Sequence, residues 1–150
     1  MFSMYKATEI LPRVFIGGAS VAGNRSFFVE NNIRRVVNCT SGLPNYFEDY
    51  AEYMKLNIWD STSERDQLLM VNSIPKTNQF IHMRQPNEGV LVHCHWGVSR
   101  SCTIMAAYLR EFHCATLQEA INFIVQRRPQ AFFRGSNLNF KKALLHLYMI

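Results

Sequence analysis

Gly89-Val90-Leu91-Val92-His93 is a short, uninterrupted apolar run that reads as a buried strand. From Ser99 to Phe112, by contrast, Ile104, Met105, Ala107, Tyr108 and Leu109 recur at helical spacing. The six residues between, Cys94 to Ser99, are therefore a tight strand-to-helix loop. Such a loop aims backbone N–H groups at one point in front of a helix N-terminus, where the helix dipole is positive. Further strand-like runs at Arg13–Ile16, Val36–Cys39 and Tyr53–Ile58 precede a chain that turns helical after Ser99. Short strands first and helices later make an α/β chain.

The other elements have local signals. Thr116 with Glu119 three residues on is a capping box, and Pro129 after Arg127-Arg128 stops the helix it starts. A last helix is expected from about Asn137 towards Ile150, and another over Gln67–Arg84, which Pro75 should kink or split. No repeat, low-complexity tract or linker divides the 150 residues, and 48% apolar content suffices for one core. One domain over residues 1–150 is expected.

The four cysteines, at 39, 94, 102 and 114, show neither CxxC pairing nor the histidine pattern of a zinc site, so no metal and a reducing compartment are expected. The N-terminus lacks the charge-then-apolar order of a leader, and no run approaches the roughly 18 apolar residues of a span. The expected location is intracellular, cytoplasmic or nuclear. A net charge of +5, from 16 Lys+Arg against 11 Asp+Glu, suits acidic partners. The basic residues form isolated pairs (Arg34-Arg35, Arg127-Arg128, Lys141-Lys142) instead of a run, so no nucleic-acid partner is expected.

The loop itself is His93-Cys94-His95-Trp96-Gly97-Val98-Ser99-Arg100-Ser101. Its amides from His95 to Ser99, the helix dipole and the Arg100 guanidinium together make an anion site matched to a tetrahedral phosphate. The same field keeps the Cys94 thiol as a thiolate, the nucleophilic form. Five residues between Cys94 and Arg100 let the loop curl round one phosphate, with Arg100 gripping two oxygens while sulfur attacks phosphorus. Gly97 allows the tight turn, and Ser101 can donate to the Cys94 sulfur and help it leave. A random H-C-x-x-G-x-x-R match in a chain of this length has a chance on the order of 10⁻⁴.

VHCHWGVSRS resembles the signature of the protein tyrosine phosphatase superfamily, H-C-x5-R-[S/T], and the chain's size most resembles a dual-specificity protein phosphatase. Ile10-Leu11-Pro12-Arg13-Val14-Phe15-Ile16-Gly17, Arg35-Val36-Val37-Asn38-Cys39-Thr40 and the tail Arg128-Pro129 with Ser136-Asn137-Leu138-Asn139-Phe140 extend the likeness over nearly the whole chain. It implies a central mixed twisted sheet of about five strands flanked by helices, with the phosphatase loop between a buried strand and a helix. It implies hydrolysis of phosphotyrosine and phosphoserine or phosphothreonine in a phosphoprotein substrate, without cofactor, through a cysteinyl phosphate. By the same likeness Asn137 buttresses the loop and His93 hydrogen-bonds it and tunes the thiol, while Cys39 reads either as a buried packing residue or as the redox partner for Cys94 that some members of the superfamily carry there.

A leaving oxygen needs a proton, and the family carries its acid after an extended segment, which places it at Asp60 after Leu56-Asn57-Ile58-Trp59, with Asp66 as competitor. His95 and Trp96 depart from the family pattern. A small residue usually stands where Trp96 is, so its indole is either pocket wall or filler behind the loop. Cys102 and Cys114 read as packing residues, and Phe27, Phe28, Phe132 and Phe133 as core or groove wall. Arg128 and Arg134 read as a solvated face or as contacts for a second acidic group. Three rival functions remain: an RNA 5′-triphosphatase, which typically lacks the acid, a phosphoinositide phosphatase, whose loops usually carry lysines, and a phosphoprotein-binding pseudophosphatase, which usually lacks the nucleophile. No feature fixes an oligomeric state.

Overall fold

The computed structural model describes residues 6–132 and 140–148. In chain order it holds β1 (Thr8–Leu11), β2 (Val14–Gly17), α1 (Ala19–Ala22), α2 (Arg25–Glu30), β3 (Ile33–Asn38) and β4 (Glu52–Lys55). There follow α3 (Glu64–His82), β5 (Gly89–His93), α4 (Arg100–Phe112), α5 (Leu117–Arg127) and α6 (Lys141–Tyr148). The strands form one sheet in the order β1-β2-β5-β3-β4, antiparallel only between β1 and β2. The mixed five-stranded sheet is the one the loop resemblance implies.

Alternate residues of the central strands explain the layering. Val90 and Val92 of β5, Ile16 of β2 and Val37 of β3 join one core with residues of α3, α4, α5 and α6. Leu91, Phe15 and Val36, one position out of phase, join a second core with Phe28 of α2 and with Phe47. Both faces of each strand are buried, hence the unbroken apolar run in β5. Each such side chain contributes about 1.5–3 kcal/mol.

Three elements differ from the sequence reading. β1 was not visible, because this edge strand puts only Ile10 fully into the core. β4 stops at Lys55, so residues 56–58 leave the sheet and carry Ile58 towards the loop after β5. Helix α3 is neither split nor confined to Gln67–Arg84. Ser63 caps it by accepting the Asp66 N–H, and Met70, Ile74 and Ile81 all bury in one core on either side of Pro75. The proline sits on the exposed face, where water can serve the carbonyl that its missing N–H leaves. The capping box at Thr116 and Glu119 is formed as expected.

Candidate active site

In a parallel sheet the ends of the strands gather the chemistry. Here the C-terminal ends of β2, β5 and β3 are adjacent, so Gly18, Cys94 and Cys39 follow one another along one edge. The loop after β5 is sewn to its neighbours by main-chain bonds: Cys94 N–H donates to Gly17 O (3.3 Å), and His95 O accepts Ala19 N–H (2.8 Å). Two glycines are required for this fit. A Cβ on Gly18 would lie 2.8 Å from His95 O, and Gly97 has φ +71° with its Cβ position 2.5 Å from Arg128 Nη2.

Behind the loop stands Arg128, fully buried. Its Nε donates to Gly97 O (2.7 Å), Nη2 to Trp96 O (3.3 Å), and Nη1 to Lys6 O and Thr8 Oγ1 (2.8 Å each). Phe132 N–H adds a bond to Val98 O (2.8 Å). This corrects both sequence readings of Arg128: it neither faces solvent nor awaits a second acidic group, because its donors hold the loop and the first strand together. Trp96 is not filler behind the loop either: the residue is 47% exposed, and its ring meets His95 edge-on with ring centroids 4.8 Å apart. Asn137, Arg134 and Phe133 lie outside the described residues.

Cys94 is buried, and its Sγ is 3.1 Å from Ser101 Oγ. Burial, the largest single influence, pushes the thiol up. The Arg100 charge, the Ser101 hydroxyl and the Ser101 and Gly97 N–H groups together outweigh it and hold the thiol below its ordinary value. Arg100, itself buried, donates from Nη1 to Ile58 O (2.9 Å), while its Nε is buried without a hydrogen-bond partner among the described residues. A buried guanidinium donor of this kind is what a phosphate oxygen would satisfy. His93 is buried with Nδ1 3.4 Å from Cys94 O. Burial, with the Lys55 and Arg100 charges adding to it, lowers its pKa to about 4, so the ring is neutral at pH 7.

The two aspartates separate cleanly. Asp60 is exposed at the rim, and its Oδ1 accepts the Ser99 hydroxyl at 2.9 Å. Asp66 is buried and organises the segment that carries Asp60: it accepts from Trp59 N–H (3.2 Å), Ser61 Oγ (2.6 Å) and Ser63 Oγ (2.9 Å). Cys39 is buried beside the nucleophile, its N–H donating to His93 O (2.9 Å). Burial first and the Cys94 charge second push its thiol well up. Cys102 is packed behind the loop with Sγ 3.4 Å from Gly97 O, and burial pushes its thiol up as well. Among the described residues no group of three His, Cys, Asp or Glu side chains is placed to hold a metal. A cavity of about 550 Å³ between α3 and the end of α4, lined by Ile74, Asn78, His82, Met83 and Phe112 among others, includes none of Cys94, Arg100, Ser101 and Asp60.

The Gly17-Gly18 pair was a readable signal for the close approach of β2 to the loop. Nothing local marks Arg128, whose nearest partner in the loop is 31 residues away. The Ser99 hydroxyl was likewise missed, because its partner lies 39 residues back.

A family model described as "Dual specificity phosphatase, catalytic domain" matches residues 14–149. Human dual specificity protein phosphatase 14 is 37% identical over 122 residues, covering 81% of this chain and 60% of that protein. Human dual specificity protein phosphatase 9 is 32% identical over 143 residues, covering 91% of this chain and 36% of that protein. The chain thus spans between about a third and three fifths of the length of these curated relatives. Among solved structures, a human tyrosine phosphatase-like serine/threonine/tyrosine-interacting protein superposes with a TM-score of 0.80 at 25% identity, covering 95% of each chain. A mouse putative dual specificity phosphatase gives 0.78 at 23% identity, over 95% of this chain and 86% of that one. Among the described residues no helix is long and apolar enough to cross a membrane.

Proposed function

The chain belongs to the dual specificity phosphatase catalytic-domain family, and from that premise we propose that it hydrolyses phosphotyrosine and phosphoserine or phosphothreonine in phosphoproteins through a cysteinyl phosphate. The observation that carries the reading is the pairing of a depressed Cys94 thiol with an unpartnered Arg100 Nε at the head of one helix. Sulfur attacks phosphorus in line, and the P–O bond to the substrate breaks as Asp60 gives its proton to the leaving oxygen. Asp60, now a carboxylate, takes a proton from water as that water attacks phosphorus. The P–S bond breaks and the thiolate leaves with the Ser101 hydroxyl donating to it. Loop amides and Arg100 hold the three equatorial oxygens throughout.

Asp60→Asn is expected to lower turnover of phosphotyrosine, phosphothreonine and phosphoserine peptides about 10²-fold or more, measured with chelator present. In the same panel the unmodified protein should leave triphosphate-ended RNA and phosphoinositides largely untouched. Release of phosphate from the RNA alone, with Asp60→Asn unchanged, would replace this reading by the triphosphatase one. Cys94, Arg100 and Ser101 all stand in the sequence, which weighs against a pseudophosphatase.

Cys39 supports a subsidiary role as redox partner, since it follows β3 directly beside the strand that leads into Cys94, its N–H bonded to His93 O. Peroxide would oxidise the Cys94 thiolate to a sulfenic acid, releasing hydroxide. Attack by the Cys39 sulfur would then form the disulfide and release water. Non-reducing mass spectrometry of peroxide-treated protein should find a Cys39–Cys94 peptide that dithiothreitol removes; stable over-oxidation of Cys94 with Cys39 unmodified would end the idea.

A further inference from the structure

Ser99 stands at the N-cap of α4, where a serine oxygen ordinarily accepts an N–H of the helix's first turn. It makes no such bond: its φ of −123° and ψ of −77° lie outside the extended geometry of Asn24, Ser63 and Thr116, each of which does cap its helix. The hydroxyl turns across the fold to Asp60 Oδ1, 2.9 Å away, from a residue that is itself buried. Two residues on, the Ser101 hydroxyl lies 3.1 Å from the Cys94 sulfur. The helix start and the acid-bearing segment are thus joined by one side chain, beside a second link between the same two segments, Arg100 Nη1 to Ile58 O.

We propose that the Ser99 hydroxyl is a positioning group of the general acid: by holding Asp60 Oδ1 it fixes the rotation of the carboxyl group over the phosphate loop. The proposal rests on Asp60 being the acid. Trp59 N–H on Asp66 fixes the main chain of this segment, and the Asp60 side chain it carries is exposed at the rim. Ser99 restrains it from a buried, helix-anchored position, and misplacing a catalytic group by as little as about 1 Å is costly.

The test is a double-mutant cycle read as kcat/KM on two aryl phosphates: phenyl phosphate, whose leaving oxygen needs the proton, and dinitrophenyl phosphate, whose leaving oxygen does not. Ser99→Ala is expected to lose about tenfold on phenyl phosphate and under about twofold on dinitrophenyl phosphate, with the second value showing that the loop is still assembled. Ser99→Thr, which keeps the hydroxyl, should recover most of the loss. In an Asp60→Asn background, Ser99→Ala should add less than about twofold. An Ala effect equal on the two substrates, or undiminished in the Asn background, would show that Ser99 serves the phosphate loop and would overturn the tether alone. Full activity of Asp60→Asn on phenyl phosphate would overturn the acid assignment and the tether together.

Discussion

Cys94→Ser is expected to lower hydrolysis of phenyl phosphate by at least about 10⁴-fold while the protein still binds a phosphotyrosine peptide. The serine hydroxyl is not ionised near neutral pH, and the fields that depress the thiol cannot bring an alcohol within reach of the thiolate's reactivity. Those fields are specific: the Arg100 charge, the Ser101 hydroxyl at 3.1 Å and two loop amides, working against the desolvation of a buried sulfur. The anion cradle itself is untouched by the exchange, so binding and turnover part company. Loss of both together, with folding intact by circular dichroism, would assign Cys94 to building the loop and not to the chemistry.

The second large effect belongs to Arg100. Arg100→Lys keeps the charge, yet it is expected to lower kcat/KM on phenyl phosphate by about 10³-fold. A lysine presents a single point donor where the guanidinium presents a fork. One arm of that fork is fixed on Ile58 O at 2.9 Å, and Nε is buried with no hydrogen-bond partner among the described residues. The bond to Ile58 also ties the clamp to the segment carrying Asp60, so an ammonium loses both the second phosphate contact and the brace. A loss of less than about tenfold would mean that the loop amides and the helix dipole hold the phosphate without help from the guanidinium's shape.

Why some of this was legible in the sequence and some was not follows from distance along the chain. Cys94, Arg100 and Ser101 lie within one strand–loop–helix junction, so their spacing already encodes their geometry, and β5 declares itself because both its faces are buried. Asp60 was reached by its position after an extended segment. Its partner Ser99 was taken as part of the backbone cradle, since nothing in a sequence says that an N-cap serine will forgo its cap. Arg128 was misjudged for a physical reason: arginines are rarely fully buried, and only the convergence of Gly97, Trp96, Lys6 and Thr8 on one point makes burial of this one tolerable. Pro75 misled in the opposite direction. A proline breaks a helix that has little else to hold it, whereas α3 is held along its length by Met70, Ile74 and Ile81 in the core.

Attack of sulfur on phosphorus is tested most directly by quenching the enzyme in acid during turnover of dinitrophenyl phosphate, whose leaving oxygen needs no proton, and mapping the phosphoryl group by mass spectrometry. A phosphoryl group on Cys94, more abundant in Asp60→Asn because that variant lacks the base that hydrolyses it, and missing in Cys94→Ser, is the predicted result. Turnover at full rate with no phosphoryl group on Cys94 in any variant would contradict it.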